Sequence, residues 1–83
     1  MLTFDWVVSK RLKNILLSNE ANTKDLSWAL NKTYRAICAD ESNEMVSYEV
    51  LGYRERSYRI AQYYFDKGSL GKCLFFIKNT WRV

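Results

Sequence analysis

Apolar residues recur at helical spacing over residues 3–18, where Phe4, Val7, Val8, Leu12, Ile15 and Leu16 share one face. Lys10, Arg11 and Lys13 fall mostly off that face. Thr3 stands at the N-cap position, and Asp5 lies in the first turn, where the helix dipole favours an anion. The loop formers of residues 18–22 end the segment. Thr23 then caps a second helix, with Asp25 in its first turn and Leu26, Ala29 and Leu30 as its inner stripe. Asn31 tolerates the left-handed conformation of a helix end. Thr33 can therefore open a third helix, with Ala36 and Ile37 facing inward, that fades in the polar run of residues 40–44.

The period changes after that run. Val46, Tyr48 and Val50 alternate with Ser47 and Glu49, and Tyr58, Ile60 and Tyr64 alternate with Arg59, Ala61 and Tyr63. Two period-2 runs of β-branched and aromatic residues, joined by a polar link containing Gly52, predict a β-hairpin. The rival is one long helix, because Val46, Val50, Tyr53, Ile60 and Tyr64 also suit a 3.5-residue spacing. The hairpin is preferred, since Tyr and Val are poor helix formers and Gly52 would sit mid-helix. In the tail, Leu70, Cys73, Leu74 and Ile77 make a helical stripe behind Ser69, although residues 73–77 also suit a buried strand.

Length and composition narrow the function. The 83 residues make one domain with a small core, and 48% hydrophobic with 16% aromatic content is too apolar for a disordered tail. Thirteen Lys and Arg against nine Asp and Glu leave a net charge of +4, which favours a polyanionic partner. The absence of His removes imidazole catalysis, Ser-His and Cys-His nucleophile pairs and His-containing zinc sites. Neither paired carboxylates nor a Gly-rich phosphate loop occurs, so the expectation is no enzyme, no cofactor, no metal and no small-molecule substrate. No apolar run reaches membrane-spanning length, and residues 1–10 lack the layout of a signal peptide. A cytoplasmic location follows as an expectation, with Cys38 and Cys73 reduced and read as small buried hydrophobes.

The order of elements and residues 23–37 together resemble the winged helix-turn-helix family. Leu26 and Leu30 take the inner positions of its first core helix, Asn31 its turn, Thr33 the start of its recognition helix and Ile37 the buried anchor. Residues 45–61 are similar to the family's wing, with Arg54 and Arg56 at the tip. The resemblance implies an α+β winged helix: three N-terminal helices, a two-stranded wing hairpin and a C-terminal helical segment. The alternative is an all-α chain. Here residues 60–73 resemble a tetratricopeptide helix pair, with Gly68 at the turn and Cys73 in the small-residue place.

On the first reading the protein is a sequence-specific transcriptional regulator of viral or mobile-element type that binds double-stranded DNA. Arg35 would read a guanine, with Thr33 and Tyr34 beside it. Lys24 and Lys32 would hold phosphates, and Arg54, Arg56 and Arg59 would reach the backbone from the wing. Arg35 also has a plain reading as a surface arginine, and Arg54 and Arg56 as part of a solvated hairpin tip. Tyr63, Tyr64, Phe65, Phe75 and Phe76 exceed what so small a domain readily buries, so residues 66–83 are a candidate homodimerisation segment. The second reading is a winged-helix or helical protein–protein interaction module without DNA binding, to which the acids Asp40, Glu41 and Glu44 also point.

Overall fold

In the computed structural model, which describes residues 9–20, 22–42, 44 and 46–81, the chain runs through α1 (Lys10–Leu17), α2 (Thr23–Glu41), α3 (Tyr48–Asp66) and α4 (Leu70–Trp81). Among the described residues there is no strand, so the α+β expectation is corrected to all-α and the wing hairpin is absent. Thr3, Phe4, Asp5, Trp6, Val7 and Val8 lie outside the described residues, as do Asn43 and Met45.

Short polar residues set the helix starts. The Ser9 hydroxyl accepts from the Leu12 amide at 3.2 Å, Asn22 Oδ1 from the Asp25 amide at 2.8 Å, and the Ser47 hydroxyl from the Val50 amide at 3.3 Å. Each satisfies an amide that the first helical turn leaves without an intrahelical partner. The cap of α2 is thus Asn22, one residue before Thr23.

The break expected at Asn31 does not occur, and α2 continues to Glu41. Thr33 explains this. Its hydroxyl donates to the Ala29 carbonyl one turn back at 2.7 Å and accepts from Trp81 Nε1 at 2.7 Å. A threonine whose hydroxyl is satisfied inside the helix has no need of a cap position. The two-helix core and its turn are therefore one uninterrupted helix.

The predicted hairpin is α3. Its buried residues Val50, Arg54, Ser57 and Ala61 recur at helical spacing, and Gly52 lies within the helix. A Cβ on Gly52 would stand 3.3 Å from Arg56 Nη1, so that glycine leaves room for the arginine side chain. Tertiary packing overrides the weak helix propensity of the Tyr and Val residues.

The α3–α4 turn closes on Gly68, whose φ is +80°. The Ser69 amide bonds the Tyr64 carbonyl at 2.9 Å and the Gly68 amide the Phe65 carbonyl at 3.0 Å. This pair of bonds is the Schellman arrangement, which places a left-handed residue where glycine costs least. It folds α4 back along α3. α4 packs against all three other helices, and Cys73, Leu74 and Ile77 fill the centre with Leu12, Leu26, Leu30 and Ala61. At the other end of α3, Arg54 Nη1 donates to Asp40 Oδ2 in a buried ion pair that fixes α3 on α2.

The two cysteines separate. Cys73 is fully buried and Cys38 exposed, so only the first fits the expectation of a buried hydrophobe. Burial, aided by the charge of Asp66, pushes the Cys73 thiol from an ordinary value of 9.0 up to about 11. In that interval the unfolded chain releases the proton and the folded chain keeps it. The thiol's contribution to stability is therefore complete below about pH 9 and is lost as the pH climbs towards about 11. We expect urea midpoints to fall over this range, and to fall less steeply in Cys73→Ala. A thiol reagent should modify Cys38 at once and Cys73 only on unfolding; immediate labelling of both would contradict the buried position.

Candidate interaction surface

The residues expected at DNA fall into separate settings. Lys24, Lys32 and Arg35 are exposed along α2, and Arg56 and Arg59 are exposed on α3. Tyr34 is half exposed and meets Tyr58 across the α2–α3 contact, with ring centroids 5.8 Å apart. A hydrogen bond to the Cys38 side chain and the charge of that group raise the Tyr34 phenol above its ordinary value. Burial, then the charge of Cys38, does the same for Tyr58. Thr33 is buried against Trp81, and Arg54 is buried against Asp40. Thr33 thus faces the core rather than a helix entrance, and Arg54 sits inside the bundle rather than at a tip. The helix-turn and wing geometry that would have brought these eight residues together is replaced by two continuous antiparallel helices.

The Schellman turn assembles a different set. Tyr63 and Tyr64 at the end of α3 come beside Phe75 and Phe76 of α4. Tyr64 stacks on Phe76 at 5.7 Å with 16° between the ring planes. Tyr63 meets Tyr64 edge-on at 5.3 Å, and Phe75 meets Phe76 edge-on at 5.2 Å. The inner pair packs on the core, while Tyr63 and Phe75 each remain 56% exposed. Two ammonium groups complete the surface. Lys67 Nζ lies 5.5 Å from the Tyr63 ring centre and Lys72 Nζ lies 5.2 Å from that of Tyr64. Such cation–π contacts hold a flexible lysine over an apolar surface while its charge stays in water.

One turn before Tyr63 along α3, Arg59 and Ile60 are both exposed, Ile60 by 39%. The aromatic excess was visible in the sequence, but the two lysines were missed. The available signal was the i, i+4 spacing of Tyr63 and Lys67 on a helix, which the hairpin reading concealed.

Hollows among the described residues also lie away from the rings. A groove of about 220 Å³ between α2 and α3 is lined by Ser27, Leu30, Asn31, Tyr34, Tyr58, Gln62 and Phe65. A hollow of about 500 Å³ at the α2–α3 connection is bordered by Asp40, Glu41 and Glu44 over Val46 and Leu51. The acidic end of the molecule is therefore at the start of α3, and the aromatic-lysine surface is at its close. No helix among the described residues is long and apolar enough to cross a membrane. Comparison with known protein families, curated proteins and solved structures finds no match to this chain.

Proposed function

We propose that the protein is a small all-helical protein-interaction module that docks a partner on the α3–α4 aromatic surface. The observation that carries this reading is the unbroken row of rings from Tyr63 through Tyr64 and Phe76 to Phe75, whose outer members stand more than half in solvent. Aromatic side chains contribute much contact area for little conformational entropy, and they dominate the energetics of protein interfaces. The role is binding rather than catalysis. A cytosolic setting accords with the exposed free thiol of Cys38, which a reducing compartment preserves.

The competing reading is duplex DNA held by Lys24, Lys32 and Arg35 on α2 and by Arg56 and Arg59 on α3. One pair of measurements separates them. Peptides selected from a displayed random library against the full chain should lose binding to Tyr63→Ser/Phe75→Ser, a variant whose changes lie at exposed positions. Labelled duplex DNA should bind no tighter than the roughly 10⁻⁴–10⁻⁶ M typical of non-specific contacts at physiological salt. Tight duplex binding that survives the Tyr63→Ser/Phe75→Ser change and falls with Arg35→Ala would reverse the assignment.

A further inference from the structure

We infer that the partner on this surface is an acidic amphipathic helix, whose apolar side chains seat against Tyr63 and Phe75 and whose carboxylates meet Lys67 and Lys72. The inference rests on the interaction-module reading and adds the chemistry of the partner.

Charge sets the first constraint. Lys67 and Lys72 hold their ammonium groups over the rings, and Arg59 is exposed one turn before Tyr63. Two acids lie nearby against these three cations: Asp66, whose carboxylate accepts a hydrogen bond from Gln62 Nε2 at 3.1 Å, and Glu20, which borders Leu70 and Gly71. A ligand laid on the rings is therefore bordered mainly by positive charge. A lysine already held over a ring loses little further freedom when a carboxylate reaches it.

The same charges argue against a second copy of this chain. A two-fold contact sets a patch against itself, so the excess of positive charge from Arg59, Lys67 and Lys72 would be doubled across the interface. Like charges brought together at an interface oppose association. A partner of opposite sign meets no such penalty.

The backbone sets the second constraint. An extended peptide gains affinity by adding to a sheet edge, and none exists among the described residues. Over phenyl and phenol rings the amides and carbonyls of such a strand would lose water without gaining partners, and a polyproline segment, which docks on rings by its prolines, would leave Lys67 and Lys72 unanswered. A helix arrives with its backbone hydrogen bonds made and presents apolar side chains at i, i+3 and i+4. An anionic bilayer also attracts lysine and aromatic rings. The apolar part of this surface, though, is two half-exposed rings and Ile60, far less than the continuous apolar face of an interfacial helix.

The test is selection from a displayed library of helix-stabilised peptides against the full chain and against Lys67→Glu/Lys72→Glu. Both lysines are exposed, so circular dichroism of the variant should match that of the parent. The full chain should enrich peptides with Asp or Glu one turn from an apolar anchor. The best of these, made synthetically, should weaken as salt rises and should lose about tenfold or more in affinity for the charge-reversed variant. Selection against that variant should enrich Lys and Arg instead. Peptides that need Tyr63 and Phe75 but carry no acidic bias, and that ignore the charge reversal, would overturn the acidic helix and leave the interaction module standing. If no selected peptide depends on Tyr63 and Phe75, both fall. Two direct measurements on the chain without peptide would also overturn the inference. One is strong pelleting with phosphatidylserine vesicles that is abolished by Lys67→Glu/Lys72→Glu. The other is concentration-dependent self-association that Tyr63→Ser abolishes.

Discussion

A chain ending at Gly68 should not fold. It should give a weakly helical spectrum, no cooperative thermal transition and a tendency to aggregate. α4, like α2, packs against all three other helices. Its Cys73 and Ile77 are fully buried and Leu74 is 3% exposed. Removing them uncovers Leu12, Leu26, Ala29, Leu30 and Ala61 together. Two polar ties leave as well: Trp81 Nε1 to the Thr33 hydroxyl, and Lys78 Nζ to the Ser18 carbonyl at 2.5 Å, which pins the α1–α2 connection. One buried aliphatic truncation such as Ile77→Ala costs about 2–5 kcal/mol. A domain of this size has a total stability of only about 5–10 kcal/mol, so loss of the whole helix exceeds it. Calorimetry of the shortened chain decides the point. A sharp endotherm would mean that α4 is an appendage. That outcome would restore residues 66–83 as the separable dimerisation segment expected from the sequence.

Much of this core was legible. Leu12 and Ile15 of α1, Leu26, Ala29, Leu30 and Ile37 of α2, and Cys73, Leu74 and Ile77 of α4 are buried at the helical spacing that identified them. Two errors share a physical origin. The helix break at Asn31 and the hairpin after Val46 were both inferred from local preference, and in both places a distant contact decides. Thr33 stays helical with its hydroxyl bonded one turn back and to Trp81, 48 residues away. The buried face of α3 contains Arg54 and Ser57, so a search for apolar periodicity sees only part of its stripe. Ile60 and Tyr63, which fed the alternating pattern, are on the solvent side. The surface residues divide in the same way. Surplus rings at 63–65 and 75–76 announce an unburied aromatic area. Their grouping with Lys67 and Lys72 depends on the Gly68 turn, and that turn has this meaning only between two helices. Trp28 and Trp81 pack against the core, Trp28 under the Arg11 guanidinium at 4.3 Å and Trp81 with its Nε1 on the Thr33 hydroxyl.

Breaking the Arg54–Asp40 pair should be the most damaging exchange of a polar side chain in the protein. Arg54 is 1% and Asp40 7% exposed at the side chain, so each charge relies on the other for much of what water would have supplied. Burial lowers the Arg54 guanidinium from its ordinary value, and the opposing charge and hydrogen bond of Asp40 raise it again. Desolvation is thus the larger influence on the guanidinium, and the cost of taking two charges out of water generally offsets the attraction within a buried pair. Its removal is nevertheless asymmetric. Arg54→Ala leaves the Asp40 carboxylate buried beside a large void and should cost about 3–5 kcal/mol in urea unfolding, and Asp40→Ala, which takes the carboxylate from a buried guanidinium, should also destabilise. Replacing both groups by apolar residues of similar volume, as in Asp40→Leu/Arg54→Met, removes both desolvation costs. The double variant should lie within about 2 kcal/mol of the parent and could exceed it. The coupling from the double-mutant cycle is therefore large and separates mutual dependence from net contribution. Single variants that cost less than about 1 kcal/mol each would show that water reaches the pair, as it does at surface ion pairs. The pair and the aromatic surface lie towards opposite ends of α3. A folded double variant should therefore bind the selected peptides with unchanged affinity, separating the contact that sets α3 on α2 from the surface that receives the partner.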